Sequence, residues 1–416
     1  MSNATTNDPI VLENANFIQS LINRIRTGES MENVKREFVE HFKDSEQEVV
    51  IRAEQELLDR GISEMEVNTF VELHGSLMNS AAPITHTLAP GHPIQILNDE
   101  NIAIEKFIAQ IEYDFQAGSI KRLLEKMTQL NQIRVHYMKK EGLIMPVLYR
   151  KGFTGPSTIM WDKDNEIKHE IKILTRDLKK FFAPDNIQHT DELLAFKLRI
   201  DKLFTQMRDM ITREERVFFP VALKYLTQED WLEIYRDMDE YGFAFLNKDQ
   251  IPIWAAGDVW QRAQTKFFEK TFEPPADFVT NGMIDGKIKL PTGEITIRQL
   301  EAVLKLLPID ITFIDENDKI RFFVNEGKIF PRPRSVLGRD VMECHPPKLV
   351  PMIKQLLNDF RNKTRDHLEI CKIVDGKPLC VDYVAVYDDR GRYIGTVEFV
   401  QNFENAISNF AHASEF

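Results

Sequence analysis

The sequence predicts a multidomain protein in which an all-α N-terminal region with a four-helix bundle precedes a smaller α+β domain. Its 416 residues are more than one compact core normally organises. From Val11 to about Tyr235 the apolar residues recur at helical spacing, whereas after Leu307 they alternate with polar ones. A hydrophobic share of 43% is ordinary for globular proteins, so both parts have enough apolar material for a core.

The helical region divides where glycine and proline interrupt the pattern, at Gly28, at Gly61 and across 83–93. Before the proline-rich stretch we expect four short helices, which form a helical domain over 1–82. After it we expect four longer helices joined by short links, the ingredients of an antiparallel bundle over 83–240. These longer helices are predicted near 94–116, 118–149, 159–182 and 189–226.

The C-terminal part follows a linker predicted over 241–290, where aromatic residues mix with prolines. A short helix ending at Pro308 should lead into a hairpin that turns at Asp315–Asp318. An amphipathic helix and three further strands complete an α+β domain over 291–416, predicted at 348–362, 367–374, 379–387 and 393–403. A sheet with one covered face can hold a ligand between itself and the helices.

Charge and composition exclude several classes of partner. The 53 basic and 65 acidic residues give a net charge of −12, which disfavours binding to nucleic acid or to an anionic membrane. No apolar stretch reaches the ~18 residues of a membrane-spanning helix, and the first residues do not resemble a secretion signal. The three cysteines form no disulfide framework, so we expect a cytoplasmic protein, with Cys371 and Cys380 on neighbouring strands as core or sheet-face residues and not redox partners.

A repeat lies inside the predicted bundle. The segment from His136 to Val147 aligns with the segment that begins at Met210, at a constant offset of 74 residues. Glu141 falls on Glu215, and Pro146 falls on Pro220. Two helices are therefore built to one plan, and helices related in this way can present carboxylates and imidazoles to a shared centre.

The paired segments resemble the His-plus-Glu repeats of the hemerythrin-like (HHE cation-binding) family, a four-helix bundle that holds two irons. The helices ahead of them resemble an N-terminal helical domain of unknown function that precedes such bundles. The last part, with Ser335-Val-Leu-Gly338 before a helix and Tyr393-Ile-Gly395-Thr-Val-Glu398 in a final strand, resembles a PAS sensor domain. The resemblance implies iron, in a dinuclear site, as a cofactor of the bundle.

This chain departs from the family pattern at most of the histidine positions. His136 is followed at +4 by Lys140, and Glu141 lies at +5, about 140° further round a regular helix. Three other positions where the family places histidine are occupied by Asn101, Asp164 and Met210.

The metal ligands that the resemblance implies form a set with more oxygen than nitrogen, which suits iron, manganese or magnesium better than copper. Its core is His136 with Glu141 from one helix and Glu214 with Glu215 from the repeat. The complete set is His92, His136, Glu141, Asp164, Glu214 and Glu215. The alternative is that the acids are solvated helix-face charges, that His136 is a packed or capping histidine and that His92 caps a helix or contacts the preceding domain.

His345 is the candidate ligand residue of the PAS-like domain. An imidazole on a PAS helix can bind haem axially, so haem is a possible cofactor here. Alternatively, His345 bonds to the backbone at a helix entry, and the domain fills its interior with its own aromatic side chains.

Common catalytic motifs are missing, including a phosphate-binding glycine loop, a G-x-S-x-G elbow and an H-E-x-x-H helix. We therefore expect a sensor or adaptor that responds to iron, oxygen, nitric oxide or redox state, with a small-molecule or gas ligand. Its signal would leave through contacts with an unknown protein partner, and a homodimer is left open. The alternatives are a diiron enzyme acting on nitric oxide, peroxide or iron–sulfur damage, and a metal-free structural protein.

Overall fold

The computed structural model divides the chain into two compact units, Met1–Trp254 and Ala255–Phe416. None of the described helices is both long enough and apolar enough to cross a membrane. The structure describes residues 8–43, 45, 47–63, 66–67, 69–70, 88–153, 155–183, 190–271, 283–284, 286–290, 292–324, 329, 332–374 and 377–412.

The first unit begins with three short helices, α1 (Pro9–Arg26), α2 (Met31–Phe42) and α3 (Gln47–Asp59). Side chains fix two of their starts, because Asp8 accepts the Ile10 N–H and Ser30 accepts the Asn33 N–H. Their apolar faces share one core, which includes Ile18, Leu21, Val34, Phe38, Ala53 and Leu57. The fourth predicted helix, ending near Asn79, lies mostly outside the described residues.

The bundle follows, and it confirms the predicted helical plan. Its first helix is α4 (Pro93–Gln116), and its second runs almost continuously through α5 (Ile120–Gln129), α6 (Ile133–Lys139) and α7 (Met145–Arg150). The remaining helices are α8 (Gly155–Phe181), α9 (Thr190–Arg213) and α10 (Phe219–Tyr225). A further helix, α11 (Gln228–Tyr241), packs against α4 and α6.

Two π-helical turns interrupt the bundle at Lys140–Ile144 and Glu214–Phe218, again 74 residues apart. The backbone N–H of the residue after each turn donates a hydrogen bond to the carbonyl five residues earlier. Met145 donates to the Lys140 carbonyl, and Phe219 donates to the Glu214 carbonyl. A proline follows each turn by two residues, Pro146 and Pro220, and proline cannot donate the next α-helical hydrogen bond. The repeat seen in the sequence is therefore also a repeat of backbone geometry.

The second unit opens with α12 (Ala255–Thr271) and a small antiparallel sheet. The sheet contains β1 (Met283–Ile284), β2 (Lys287–Leu290) and β3 (Gly293–Thr296). Helix α13 (Ile297–Leu306) follows, started by a capping box between Thr296 and Gln299. The stretch predicted as a linker thus carries α12, β1 and all of β2.

A five-stranded antiparallel sheet forms the rest of the second unit and confirms the predicted α+β class. Helix α14 (Val350–Arg361) packs on one face through Leu356, Leu357 and Phe360. A last helix, α15 (Glu404–His412), follows the sheet. The strands are β4 (Ile309–Asp315), β5 (Ile320–Phe323), β6 (His367–Val374), β7 (Lys377–Tyr387) and β8 (Tyr393–Asn402). They lie side by side in the order β5-β4-β8-β7-β6.

One expectation for the cysteines was wrong. Cys371 on β6 and Cys380 on β7 are directly opposite each other, with their Cα atoms 4.0 Å apart, and they form a disulfide. The two residues do lie on neighbouring strands, as expected, but the antiparallel register brings their side chains together. Nine residues of separation allow this pairing because β6 ends at Val374 and β7 begins, antiparallel to it, at Lys377.

Candidate functional site

Six ionisable side chains meet at the centre of the bundle, and each residue is at most 1% exposed. They come from α4, α6, the two π turns and α8, which surround one point. Three are acids and three are bases, so the cluster is neutral overall when every group is ionised. The six residues are Glu100, His136, Lys139, Lys140, Asp164 and Glu214.

His136 bridges two carboxylates. Its Nδ1 lies 2.8 Å from Oε2 of Glu100, and its Nε2 lies 3.0 Å from Oε2 of Glu214. Burial by itself would lower the pKa of His136, but Glu214 and Glu100 raise that pKa to about 9. The ring is therefore an imidazolium at neutral pH and donates a hydrogen bond from each nitrogen.

Lys140 places an ammonium group between two acids. Its Nζ lies 3.0 Å from the Asp164 carboxylate and forms an ion pair with Glu214. Burial lowers the pKa of Lys140, but Asp164 and Glu214 outweigh that effect and raise it. For Glu214 burial raises the pKa, but Lys140 and His136 lower it more strongly, to about 2. Lys140 and Glu214 are therefore charged partners.

Lys139 and Glu100 form a second pair, at the side of the centre where the chain returns after α11. The Lys139 ammonium binds the Glu100 carboxylate and lies 4.8 Å from the centre of the Phe243 ring. Oε1 of Glu100 also accepts the Ala244 backbone N–H at 2.7 Å. The segment after α11 that contains Phe243 and Ala244 therefore packs against the cluster and supplies Glu100 with a third hydrogen-bond donor.

The positions of the three bases follow from helix geometry. His136, Lys139 and Lys140 stand at i, i+3 and i+4, which lie on one face of a helix. Lys140 is also the repeat equivalent of Glu214, since the offset is 74 residues. The repeat therefore places a cation on one helix opposite an anion on the other.

Of the six predicted metal ligands, the structure brings three together, namely His136, Asp164 and Glu214. Glu141 turns away from them, and its carboxylate accepts from Lys168 Nζ at 2.9 Å. Glu215 is also outside the cluster, and burial raises its pKa.

His92 lies at the start of α4 and not in the cluster. Its Nδ1 accepts the Ile94 N–H at 3.2 Å, and the ring packs against Trp231 and Trp254. Burial lowers the pKa of His92 to about 4, so the ring is neutral. This geometry is that of a helix cap.

Sequence reasoning missed Glu100, Lys139 and Lys140. A search for metal ligands considers acids and imidazoles, and it passes over lysine because an ammonium group cannot bind a metal. Two signals were nevertheless present. These are the i, i+3, i+4 spacing from His136 and the lysine at the position of Glu214 in the repeat.

The residues at the centre do not fit a dinuclear iron site. The carboxylates of Glu100, Asp164 and Glu214 each bind a lysine ammonium group. Both ring nitrogens of His136 donate hydrogen bonds to carboxylates, those of Glu100 and Glu214. A metal-binding histidine instead directs the lone pair of one nitrogen to the ion. The six-residue metal site therefore stays a prediction of the sequence.

The PAS-like domain has its own polar interior. The largely buried Arg332 side chain donates to Glu398 on β8 at 2.6 Å. His345 donates from Nδ1 to the Val341 carbonyl at 2.8 Å, the backbone bond given above as the alternative to a ligand role. Burial lowers the pKa of His345, so the ring is neutral, and burial raises the pKa of Cys344 to about 11, so it is a thiol.

The space between α14 and the sheet is packed. Leu356, Leu357 and Phe360 are at most 6% exposed, and the core to which they belong packs against Leu368 and Tyr383 on the sheet. The neutral imidazole of His345 has the chemistry of an axial haem ligand. However, a group as large as haem would have to displace this core, so the domain does not fit haem in this conformation.

Comparison with protein families gives three matches in the predicted order. Residues 18–82 match a family of unknown function (DUF438), residues 92–222 match the hemerythrin HHE cation binding domain, and residues 300–404 match a PAS domain. The hemerythrin match implies cation binding, typically of iron, and the PAS match suggests a small-molecule ligand and a signal output. Together these domains fit a sensor or signalling protein.

Two solved structures are similar to parts of the chain. The first is a C-terminal domain from Streptococcus mutans, 29% identical over 29% of this chain and 96% of that chain, with a TM-score of 0.28. The second is a sensory box sensor histidine kinase from Vibrio cholerae, 10% identical over 25% of this chain and 87% of that chain, with a TM-score of 0.20. A comparison with curated proteins gave no match.

Proposed function

We propose that this chain is a sensor or adaptor in which the PAS-like domain responds to the signal and the bundle is an ion-paired scaffold. The observation that carries this proposal is the closed ion-pair network around His136 and Lys140. A diiron enzyme needs ligands with free lone pairs and an open coordination position. In this centre the carboxylates and both imidazole nitrogens are already engaged.

Iron is the cation that the family implies for such a bundle, and the carboxylates that would bind it need a positive charge in any case. A buried carboxylate without a compensating charge is strongly destabilising. Lys139, Lys140 and protonated His136 supply that charge from within the chain. The bundle can therefore remain folded without a metal.

The signal is assigned to the PAS-like domain, with oxygen, nitric oxide and redox state as the candidate signals. Arg332, Glu398 and His345 form a polar anchor that a ligand smaller than haem could share. A change there can reach a protein partner through the sheet, because Glu398 lies on its central strand β8.

Hydrogen exchange on the full chain tests the proposal. The chain is exposed separately to ferrous iron, a nitric oxide donor and hydrogen peroxide, and the amide protection of each segment is compared with that of the untreated chain. We expect at least one treatment to change protection within 300–404 and none to change it in the bundle around 136–144 and 210–218. A response confined to the bundle, or catalytic consumption of peroxide or nitric oxide, would support the enzyme instead.

A haemin titration tests the cofactor suggested by His345. Because the core beside α14 is packed, we expect no Soret shift with the native chain. A shift that is lost in His345→Ala but kept in His367→Ala, an exposed histidine on β6, would contradict this expectation and assign haem to His345.

A further inference from the structure

Three metal-ligating side chains converge on the hairpin of β6 and β7, away from both sites described above. One ligand atom from each of Glu369, Cys371 and Cys380 lies within 4.8 Å of the others. Cys371 and Cys380 face each other across the two strands, in register, and are joined as a disulfide. Glu369 precedes Cys371 by two residues, so both side chains lie on the same face of β6.

This face is the accessible one. The alternate residue Leu368 and its partner Tyr383 pack into the core with α14, so Glu369 and Cys371 lie on the opposite side of the sheet. Glu369 and Cys371 are exposed, and Cys380 is partly exposed. Oxidants and metal ions in solution can therefore reach the two sulfur atoms.

A second acid lies beside these three residues. Asp382 is directly opposite Glu369 in the register, and its carboxylate binds His367 Nε2 at 2.8 Å. Two sulfurs and two carboxylates thus occupy one small patch. A pair of thiolates with a carboxylate is a soft, anionic donor set of the kind that selects Zn²⁺ and similar thiophilic cations.

We propose that the reduced hairpin binds one thiophilic divalent cation, such as Zn²⁺, through Cys371, Cys380 and Glu369, and that oxidation to the disulfide releases it. This proposal rests on the proposed function, since it names a redox-responsive site in the domain that we assign to sensing. In the disulfide neither sulfur is an anion, and the thiolate, not the disulfide, is the metal ligand. Cation binding and disulfide formation therefore exclude each other.

The oxidation step balances with a small disulfide, RSSR, as the two-electron acceptor. One cysteine thiolate attacks a sulfur of RSSR, forms a mixed disulfide and expels RS⁻. The second thiolate attacks the cysteine sulfur of that mixed disulfide, which forms the Cys371–Cys380 bond and expels the second RS⁻. Two protein thiolates are oxidised, one RSSR is reduced to two RS⁻, and the cation leaves with only Glu369 still available to it.

Cobalt binding to the full chain tests the site. The chain is reduced with a phosphine, freed of reductant without oxygen and titrated with Co²⁺, which absorbs by thiolate-to-metal charge transfer when sulfur is a ligand. We expect about one Co²⁺ per chain with this absorption, and displacement by Zn²⁺. A reduced chain that binds no Co²⁺ through sulfur would overturn the proposal.

Variants identify the ligands. Cys371→Ser and Cys380→Ser should each abolish or strongly weaken the charge-transfer band, and Glu369→Gln should weaken binding about tenfold while leaving both thiolates in place. Cys344→Ser, which removes the free thiol that packs against the core beside α14, should change nothing. An unchanged band in either cysteine variant, or its loss in Cys344→Ser, would contradict the assignment. Because Glu369→Gln leaves the hairpin cysteines intact, it keeps the test valid if a serine variant folds poorly.

The oxidation arm uses glutathione disulfide as the RSSR. Added to the cobalt-loaded chain, it should release one Co²⁺ for each intramolecular disulfide formed, and a reductant should restore binding. Retention of Co²⁺ after the disulfide has formed would overturn the release step. Failure of the cobalt experiments would not contradict the proposed sensor function. The hydrogen-exchange test measures amide protection across the whole domain and uses three other treatments.

Discussion

Lys140 is the residue that most changes the chemistry of this bundle. Its ammonium group stands between Asp164 and Glu214, where the family resemblance predicts a metal. A lysine and a divalent metal both neutralise buried carboxylates, but the lysine offers no Lewis acidity and no open coordination position. One side chain can therefore preserve the fold of the bundle while removing its metal chemistry.

Replacing Lys140 with methionine tests the strength of this compensation. Lys140→Met keeps much of the side-chain volume but removes the ammonium group that pairs with Asp164 and one of the two cations that pair with Glu214. We expect the free energy of unfolding, measured by urea denaturation, to fall by about 3–5 kcal/mol. Lys197→Met, on the exposed face of α9, is the matched control and should change it by less than about 0.5 kcal/mol. Equal effects of the two substitutions would mean that the network contributes nothing.

The pH dependence of stability should report His136. Its pKa in the folded chain is about 9, above the ordinary 6.5, so the stabilisation is complete below about pH 6.5 and is lost as the pH rises through about 9. The difference corresponds to about 3 kcal/mol. The difference in unfolding free energy between the native chain and His136→Gln should therefore be largest at pH 6 and should narrow as the pH is raised to 9.5.

His169→Gln, an exposed substitution on α8, is the control for this pH series and should follow the native curve. A gap between native and His136→Gln that stays constant from pH 6 to pH 9.5 would show that His136 does not titrate in this window.

At the residue scale the sequence predicted only half of the central cluster. His136 and Glu214 were found because they are metal-ligand types on the two repeated helices, and Asp164 was found because it occupies a position where the family places histidine. Glu141 was placed at the core of the site, but its +5 position turns it towards Lys168. Lys139 and Lys140 were missed because burying a lysine is improbable unless acids on other helices surround it, and only the fold brings those acids together.

At the scale of the element, the π turns set which side chains point inward. Each turn widens the helix just before a proline, so the residues before and after it are rotated relative to a regular helix. Gly142, inside the first turn, lies against Tyr241 of α11. A Cβ at this glycine would be 2.2 Å from the Tyr241 hydroxyl oxygen, so the close approach requires the absence of a side chain.

Gly142→Ala therefore gives a test with a clear sign. In an open helix this substitution stabilises by about 1 kcal/mol, because alanine has the better helix propensity. Here we expect a loss of about 1–3 kcal/mol in urea denaturation, because the methyl group overlaps Tyr241. Adding Tyr241→Phe removes the nearest atom and should restore part of the loss. A stabilised Gly142→Ala chain would contradict the packing of α11 on the turn.

Helices and strands were predicted more completely than side-chain contacts. The alternating pattern and the turn residues placed β4 through β8 correctly because each strand has one face on a core. The disulfide was missed because the distance between Cys371 and Cys380 depends on strand register, and spacing along the chain does not reveal register. The π turns did leave a signal in the sequence, because Pro146 and Pro220 are separated by the same 74 residues as the two turns.

At the scale of the whole molecule, two compact units meet at Trp254 and Ala255 in the chain. We expect two separate unfolding transitions in calorimetry. Lys140→Met should lower the midpoint of one, and Leu357→Ala, in the core beside α14, should lower the midpoint of the other by removing a buried side chain. If either substitution moves both midpoints equally, the units unfold as one.

The central claim is that protein cations fill the centre of the bundle in place of a metal, and metal analysis tests it most directly. The measurement uses the full chain carrying Cys371→Ser and Cys380→Ser, incubated with ferrous iron without oxygen, freed of unbound metal and analysed by mass spectrometry. The account predicts far less than one metal ion per chain and an unfolding midpoint unchanged by a chelator. About two irons per chain that disappear in His136→Ala would contradict it.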